Sequence, residues 1–300
     1  MDVSEDVCPS CGDGFVESRG AIPDGKAFGG QQLARAMPGG SLASCLTCGL
    51  AFRTPRPSKE ELDALYRSAP SDYWSGSAAE KRDFAIARAA IQATLAEGRV
   101  LDVGCFDGMF LQSLGEAYEQ FGIEINPVAA AAAESKGVTI IGADFDAGRS
   151  HAERHEAVVS IDSFEHSLRP YEFLRDLSSL AVPGGWIFVS TGNSEAKSWR
   201  WMGGRYWYCA NPEHQCFANR KWAGWAADRL NLSLVDVQDF SHARPRLSTA
   251  LRQFWSNAFY RYLPSVYDFA RRLKKSASAP DEPPSWNQSR DHMLLVFRKN

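Results

Sequence analysis

The sequence predicts an α/β protein built on a mostly parallel sheet, with a small cysteine-bound module ahead of it and a helical insertion before the last strand. Three observations carry that reading. From Arg99 onward, short apolar runs alternate with Ala-rich or Leu-spaced helical stretches, which is the pattern of repeated βαβ units. Two CxxCG pairs stand close to the N-terminus. A long aromatic and basic segment separates the last two apolar runs, and an insertion of that length is usually functional or mobile.

Composition bounds the options. With 300 residues and 44% apolar side chains, the chain can bury one large α/β core and still carry an accessory module. A formal charge of −3 gives no global reason to wrap a polyanion. No window approaches the roughly eighteen consecutive apolar residues of a membrane span. The opening MDVSEDVCPSCG is acidic where a secretory leader is basic and then apolar, so the expected compartment is cytoplasmic. An odd count of 7 cysteines argues against a disulfide framework.

The first module covers residues 1–56 and closes on RTPRP, Arg53 to Pro57. In Cys8-Pro-Ser-Cys11-Gly and Cys45-Leu-Thr-Cys48-Gly, the Gly after each pair permits a tight knuckle that aims two thiolates at one metal. Four thiolates suit tetrahedral zinc and leave no open position, so the metal's work is folding. The long stretch between the pairs must form a hairpin or loop inside this ribbon. A redox disulfide is the other reading, but a thioredoxin-like CxxC opens a helix inside a βαβ unit and this region has none. Metal loss is expected to unfold the module while sparing the main sheet.

Residues 57–97 read as a helical linker or cap. SKEELDALYRS begins on Ser58 as N-cap and sets Leu62, Leu65 and Tyr66 on one face, and a second helix is expected over about Ala78 to Ala96. Residues 98–300 form the main domain, with strands at RVLDVG, QFGIEI, VTIIGAD, EAVVSID, GWIFVST, LSLVDVQDF and HMLLVFRKN. Residues 241–291 are the insertion.

Within LDVGCFDGMFL, Leu101 to Leu111, a strand ends in a glycine turn that opens a helix, which lets backbone approach a ligand. Glu124 ends the second strand, where a carboxylate can accept both hydroxyls of a ribose. The third strand ends in Gly142-Ala-Asp144-Phe145, an edge contact and a flat face for an adenine. This order resembles the class I S-adenosylmethionine-dependent methyltransferases, which are Rossmann-like and whose first motif is commonly LDxGCGxG. The resemblance implies cofactor contacts at Asp102, Gly104, Cys105, Gly108, Glu124, Asp144 and Phe145. Phe106 departs from it, standing where Gly is usual. A dinucleotide dehydrogenase is the alternative, but its GxGxxG cradle needs a Gly at that same position.

VVSIDSFEHSLRP, AVPGGWIFVSTGN and ANPEHQCFANRKWAGWAADRL resemble segments of quinone-biosynthesis and glycan methyltransferases. CLTCGLAFRTPRP, Cys45 to Pro57, resembles zinc-ribbon methyltransferases of bacterial sugar and natural-product pathways. Together they imply S-adenosylmethionine and zinc as cofactors, and O-methylation of a sugar, glycan or natural-product intermediate. Two other readings stay open: an RNA methyltransferase gripping its substrate with the ribbon and the basic insertion, and a zinc-dependent scaffold with a degenerate cofactor fold.

A hydroxyl acceptor needs a base, which directs attention to the 6 histidines. His166 follows the fourth strand at the sheet edge where open α/β folds bind ligands. His214 follows the fifth, near Trp199, Trp201, Tyr206, Trp207 and Tyr208, which either line an acceptor pocket or form core. Either histidine could instead fix a loop through backbone hydrogen bonds; of the two as bases, His214 is favoured for its aromatic surroundings. Cys105 reads as packing. In the insertion, Leu247, Leu251, Phe254, Trp255, Ala258 and Tyr262 fall on one helical side. Arg244, Arg246, Arg252, Arg261, Arg271, Arg272, Lys274 and Lys275 stand against the single acid Asp268. Such a stripe over residues 244–275 could cap a small-molecule or glycan pocket, dock a second subunit, touch a membrane or pack on its own sheet, with nucleic acid less favoured.

Overall fold

The computed structural model describes residues 7–68, 81–244, 246–273 and 282–300. The N-terminal module is β: β1 (Val16–Ala21), β2 (Gly25–Phe28), β3 (Gln31–Met37), β4 (Ser41–Cys45) and β5 (Ala51–Thr54). β2 and β3 pair as the hairpin that fills the span between the two CxxC pairs. Helix α1 (Lys59–Ser68) starts with a reciprocal capping box: the Glu61 amide donates to Ser58 Oγ at 3.2 Å and the Ser58 amide to Glu61 Oε2 at 2.9 Å. The next helix, α2, is Arg82–Thr94, and the earlier part of the stretch expected from Ala78 lies outside the described residues.

The main sheet then forms from β6 (Gly98–Val103), β7 (Tyr118–Ile123), β8 (Thr139–Gly142), β9 (His155–Ile161) and β10 (Ala181–Gly192). Between them run α3 (Met109–Leu114), α4 (Pro127–Ser135), the short α5 (Phe145–Gly148) and α6 (Pro170–Leu180). Past α7 (Lys197–Met202) come β11 (Cys216–Phe217), α8 (Arg220–Arg229), β12 (Leu232–Phe240), α9 (Leu247–Tyr262), α10 (Pro264–Leu273) and β13 (His292–Lys299). Strand order is β12-β13-β10-β9-β6-β7-β8, with β13 antiparallel to both its neighbours. The strands from β6 to β10 are parallel.

The apolar runs are continuous because both sheet faces are covered. Leu101, Val158, Ile187 and Leu295 enter one core, while Val100, Val159, Phe188 and Leu294 enter the other. The first of these cores also holds Cys8, Cys45, Cys48, Leu50 and Phe52, so the cysteine module shares its interior with the main domain. The junction is a strand: β11 pairs with β5 in a sheet ordered β1-β4-β5-β11.

The insertion departs from the option of packing its apolar side on the sheet. On α9 the buried residues are Gln253, Asn257 and Tyr260, whereas Leu247, Leu251, Phe254, Trp255 and Tyr262 are exposed. Gln253 Nε2 donates to Asn287 Oδ1 at 2.8 Å and Asn257 Nδ2 to the Ser285 carbonyl at 3.4 Å, so the inner side combines these polar bonds with the buried Tyr260 and with Phe254 stacked on Trp201. Lys274 and Lys275 lie outside the described residues. Among the described residues, no helix is long and apolar enough to cross a membrane.

Candidate functional site

A cleft of about 490 Å³ opens at the C-terminal ends of β6 to β9. Its floor is the turn after β6. Gly104 has φ +82°, which favours glycine, and a Cβ there would stand 2.4 Å from Ser163 Oγ and push that side chain aside. Phe106 also adopts a left-handed conformation, with φ 49°, at a strain of about 1 kcal/mol. Its amide donates to Glu124 Oε2 at 2.9 Å, and the Asn126 amide donates to Oε1 at 2.7 Å. The buried carboxylate is thereby aimed, each oxygen keeping a lone pair for a further donor. Burial raises the Glu124 pKa, and the two amide bonds work against that rise.

Asp102 is buried in the same wall. Burial pushes its pKa up to about 8, with the charge of Glu124 adding to the effect. Its Oδ1 has no hydrogen-bond partner among the described residues. A buried carboxylate oxygen left bare in a cleft wall fits a ligand that brings a cation or a donor. Asp144 and Phe145 line the far side; Asp144 Oδ1 accepts from the Ala147 amide at 2.9 Å, and Phe145 meets Phe173 edge-on at 5.3 Å. Cys105 reaches the lining too, but its sulfur packs on Gly122, where a Cβ would come within 2.4 Å, and burial pushes its thiol pKa up. Gly108, with φ +75°, sits behind the turn, where a Cβ would be 2.8 Å from Val138 Cγ2.

The opposite wall was less legible in the sequence. It holds Lys59, Asp63 and Tyr66 from α1, Lys81 and Phe84 near the start of α2, and Asp162, Ser163 and His166 after β9. Tyr66, on the α1 face it shares with Leu62 and Leu65, hydrogen-bonds His166 Nδ1 at 2.5 Å and is backed by Phe28 of the β2–β3 hairpin at 4.9 Å. Burial raises the Tyr66 pKa well above its ordinary value, so it remains a neutral phenol. Asp162 adopts φ 49°, and burial beside Asp83 raises its pKa well above the usual carboxylate range.

The two candidate bases occupy different places. His166 lines the cleft; His214 lies behind it, with ring centroids 5.1 Å apart. His214 is buried, its Nδ1 bonds the Tyr208 carbonyl at 2.8 Å, and burial first, then His166, lowers its pKa well below normal. Geometry therefore reverses the preference drawn from the aromatic surroundings. Three of those aromatics are core: Trp199 stacks on Tyr206 at 4.9 Å and meets Tyr208 edge-on at 5.6 Å, and all three are buried, while Trp201 and Trp207 pack half-buried against them. Glu165 is also buried, accepting from Thr191 Oγ1 at 2.7 Å and from the Tyr208 hydroxyl.

The four module cysteines converge. A zinc–sulfur bond of about 2.3 Å in a tetrahedron spaces sulfurs about 3.8 Å apart. Cys8 and Cys48 Sγ are 3.6 Å apart, Cys11 and Cys45 3.5 Å, and all four lie within 4.8 Å of one another. The Cys48 thiol donating to Cys8 pulls the Cys8 pKa down to about 5. The knuckles are tied to the main domain: Trp222 Nε1 donates to Ser10 Oγ at 2.8 Å, Asn219 Nδ2 to the Gly49 carbonyl at 2.6 Å and Lys221 Nζ to the Leu46 carbonyl at 2.6 Å. Arg53, buried, donates to the carbonyls of Gly39, Cys209 and Asn211 at 2.8, 2.7 and 3.0 Å, and so holds the segment leading to His214.

Comparison with known proteins agrees with this geometry. Residues 77–237 match the family model described as a methyltransferase domain. The ubiquinone biosynthesis O-methyltransferase of Paraburkholderia phytofirmans is 33% identical over 116 residues, 36% of this chain and 50% of that protein. That of Thiobacillus denitrificans is 30% identical over 117 residues, with the same coverage of 36% and 50%. The chain thus spans about half the length of the curated relatives it matches. Among solved structures, the BH2331 protein of Bacillus halodurans C-125 superposes with a TM-score of 0.52 at 16% identity, over 72% of this chain and 98% of that one. The MccD protein does so at 0.51 and 14%, over 74% and 99%. At such identities these two likenesses speak to the fold.

Proposed function

The chain belongs to the methyltransferase-domain family, and from that premise we propose that it moves a methyl group from S-adenosylmethionine to a hydroxyl of a sugar, glycan or natural-product intermediate. The observation that carries the reading is the Glu124 carboxylate, fixed by the amides of Phe106 and Asn126 within a cleft that His166 closes on the other side. Glu124 would accept the two ribose hydroxyls, Asp102 the ammonium of the methionine end, and Asp144 with Phe145 would meet the adenine. When bound, the cofactor supplies a sulfonium-activated methyl carbon.

What remains for the protein is alignment and proton removal. His166 takes the acceptor proton at Nε2, which requires its Nδ1 to carry the other proton and to donate it to the Tyr66 oxygen. Tyr66 holds the ring in place through this bond, and His214 and Glu165 support the wall from behind. One zinc held by Cys8, Cys11, Cys45 and Cys48 supplies structure alone. The scaffold alternative drew on Phe106, whose amide instead orients Glu124. The RNA alternative calls for one continuous basic surface joining the ribbon and the insertion to the cleft; the outward side of α9 instead carries Leu251, Trp255, Phe259 and Tyr262 between its arginines.

Calorimetry with S-adenosylmethionine tests the assignment. Glu124→Ala is expected to weaken binding at least about tenfold, near 1.4 kcal/mol. Unchanged affinity in a folded variant removes Glu124 from the site.

A further inference from the structure

Helices α9 and α10 turn their apolar residues to the outside. On α9 the buried stripe is Gln253, Asn257 and Tyr260, and on the opposite side Leu251, Trp255, Phe259 and Tyr262 are exposed, Trp255 by 59%. α10 prolongs the exposed face with Val266 and Phe269, the latter at 63%. The polar bonds of Gln253 and Asn257 to the 285–287 segment fix this orientation, since rolling the helix inward would strip them. Scattered exposed apolar residues are ordinary on a soluble surface, but a continuous aromatic face across two helices marks an interface. Among the described residues nothing covers it.

Charge selects the occupant. Arg252 and Arg261 stand on the two flanks of the α9 stripe, Arg246 precedes the helix and Arg271 lies near the end of α10. Asp268 is the single acid in the two helices. A second copy docked about a two-fold axis would lay this basic border upon itself, which Coulomb repulsion opposes. A nucleic acid would have to cover Trp255 and Phe269 with phosphates. An anionic bilayer surface satisfies both parts: aromatic and aliphatic side chains enter the acyl boundary, and guanidinium groups stay among the headgroups. Lys81 borders both the cleft and a groove lined by Arg82 and Arg244, so the basic border reaches the cleft mouth.

We infer that α9 and α10 dock the protein onto an anionic membrane surface with the cleft mouth beside the headgroups. The inference stands independently of the methyl-transfer reading. The test is co-sedimentation of the full chain with phosphatidylcholine vesicles, with and without about one-third phosphatidylglycerol. Binding is expected to be at least about tenfold tighter to the anionic vesicles and to fall as salt is raised. The triple variant W255S/F259S/F269S and, separately, R246E/R252E should each lose most of that binding while keeping the wild-type far-UV circular dichroism spectrum. Trp fluorescence should shift to the blue with anionic vesicles, and the shift should shrink in Trp255→Phe. Absence of vesicle binding by the wild type overturns the proposal, as does binding retained by the folded triple variant. A dimer in lipid-free solution that Trp255→Ser abolishes, with no vesicle binding, assigns the face to a second copy, and RNA binding without vesicle binding assigns it to nucleic acid; either overturns the proposal.

Discussion

Asp102, on β6, and Glu124, just past the end of the adjacent β7, stand in one wall, and burial raises the pKa of both. For Asp102 the consequence can be signed. Its ordinary carboxyl value is 3.8 and its folded value is about 8, so between those limits the folded chain holds a proton that the unfolded chain has released. The contribution of Asp102 to the stability of the ligand-free protein should therefore fall as pH rises from about 4 to about 8 and level above that, against the opposite contribution of buried His214. Thermal melts of the ligand-free protein across this window are the measurement, and Asp102→Asn should flatten the slope while weakening the cofactor. A slope unchanged by the substitution would assign the pH dependence to other groups. The two histidines separate by a different readout. His166→Ala is expected to lower kcat about 100-fold or more with cofactor affinity nearly intact. His214→Ala should chiefly lower the melting temperature, at a cost of about 1–3 kcal/mol, because a buried ring bonded to backbone is lost. If His214→Ala instead gives the larger fall in kcat without loss of stability, the assignment of the base returns to His214. Residues on strand ends, such as Glu124, were legible because strand periodicity places them. Tyr66 was not, because its role depends on Phe28 and His166, which meet it from other parts of the chain.

At the scale of elements, the apolar runs announced the strands of the main sheet, and the spacing of the CxxC pairs called for a hairpin or a loop between them, of which the β2–β3 hairpin is the outcome. β11 was invisible: Cys216 and Phe217 make a strand only because Phe52 and Ala51 lie opposite them. The outward face of α9 was hidden for a related reason, since helical spacing identifies an apolar side without saying what it meets. The docking of the ribbon changes what metal loss should do. Ser10, Leu46 and Gly49 are bound by α8 and its N-cap, and Arg53 holds the segment from Cys209 to Asn211. Hydrogen exchange before and after chelation should therefore show loss of protection in the ribbon and also across residues 209–222, while β6, β7 and β9 stay protected. Metal analysis should find one zinc per chain before chelation. Exchange confined to the ribbon would mean that these ties bear little load.

For the whole molecule, the decisive feature is the position of β13. It lies between β10 and β12 and pairs with both, and among the described residues the pairing of β12 is to β13. A ribosome delivers β12 first, then α9 and α10, and only afterwards β13. The parallel strands β6 to β10 can assemble while β12 still has no neighbour to join, and the chain must hold that strand open until the insertion has emerged. Trp255 and Phe269 lie between β12 and β13 in the chain, so they too precede the strand that completes the sheet. The last strand made is thus the one that locks the sheet edge, and the outward aromatic helices are the loop that this closure has to span.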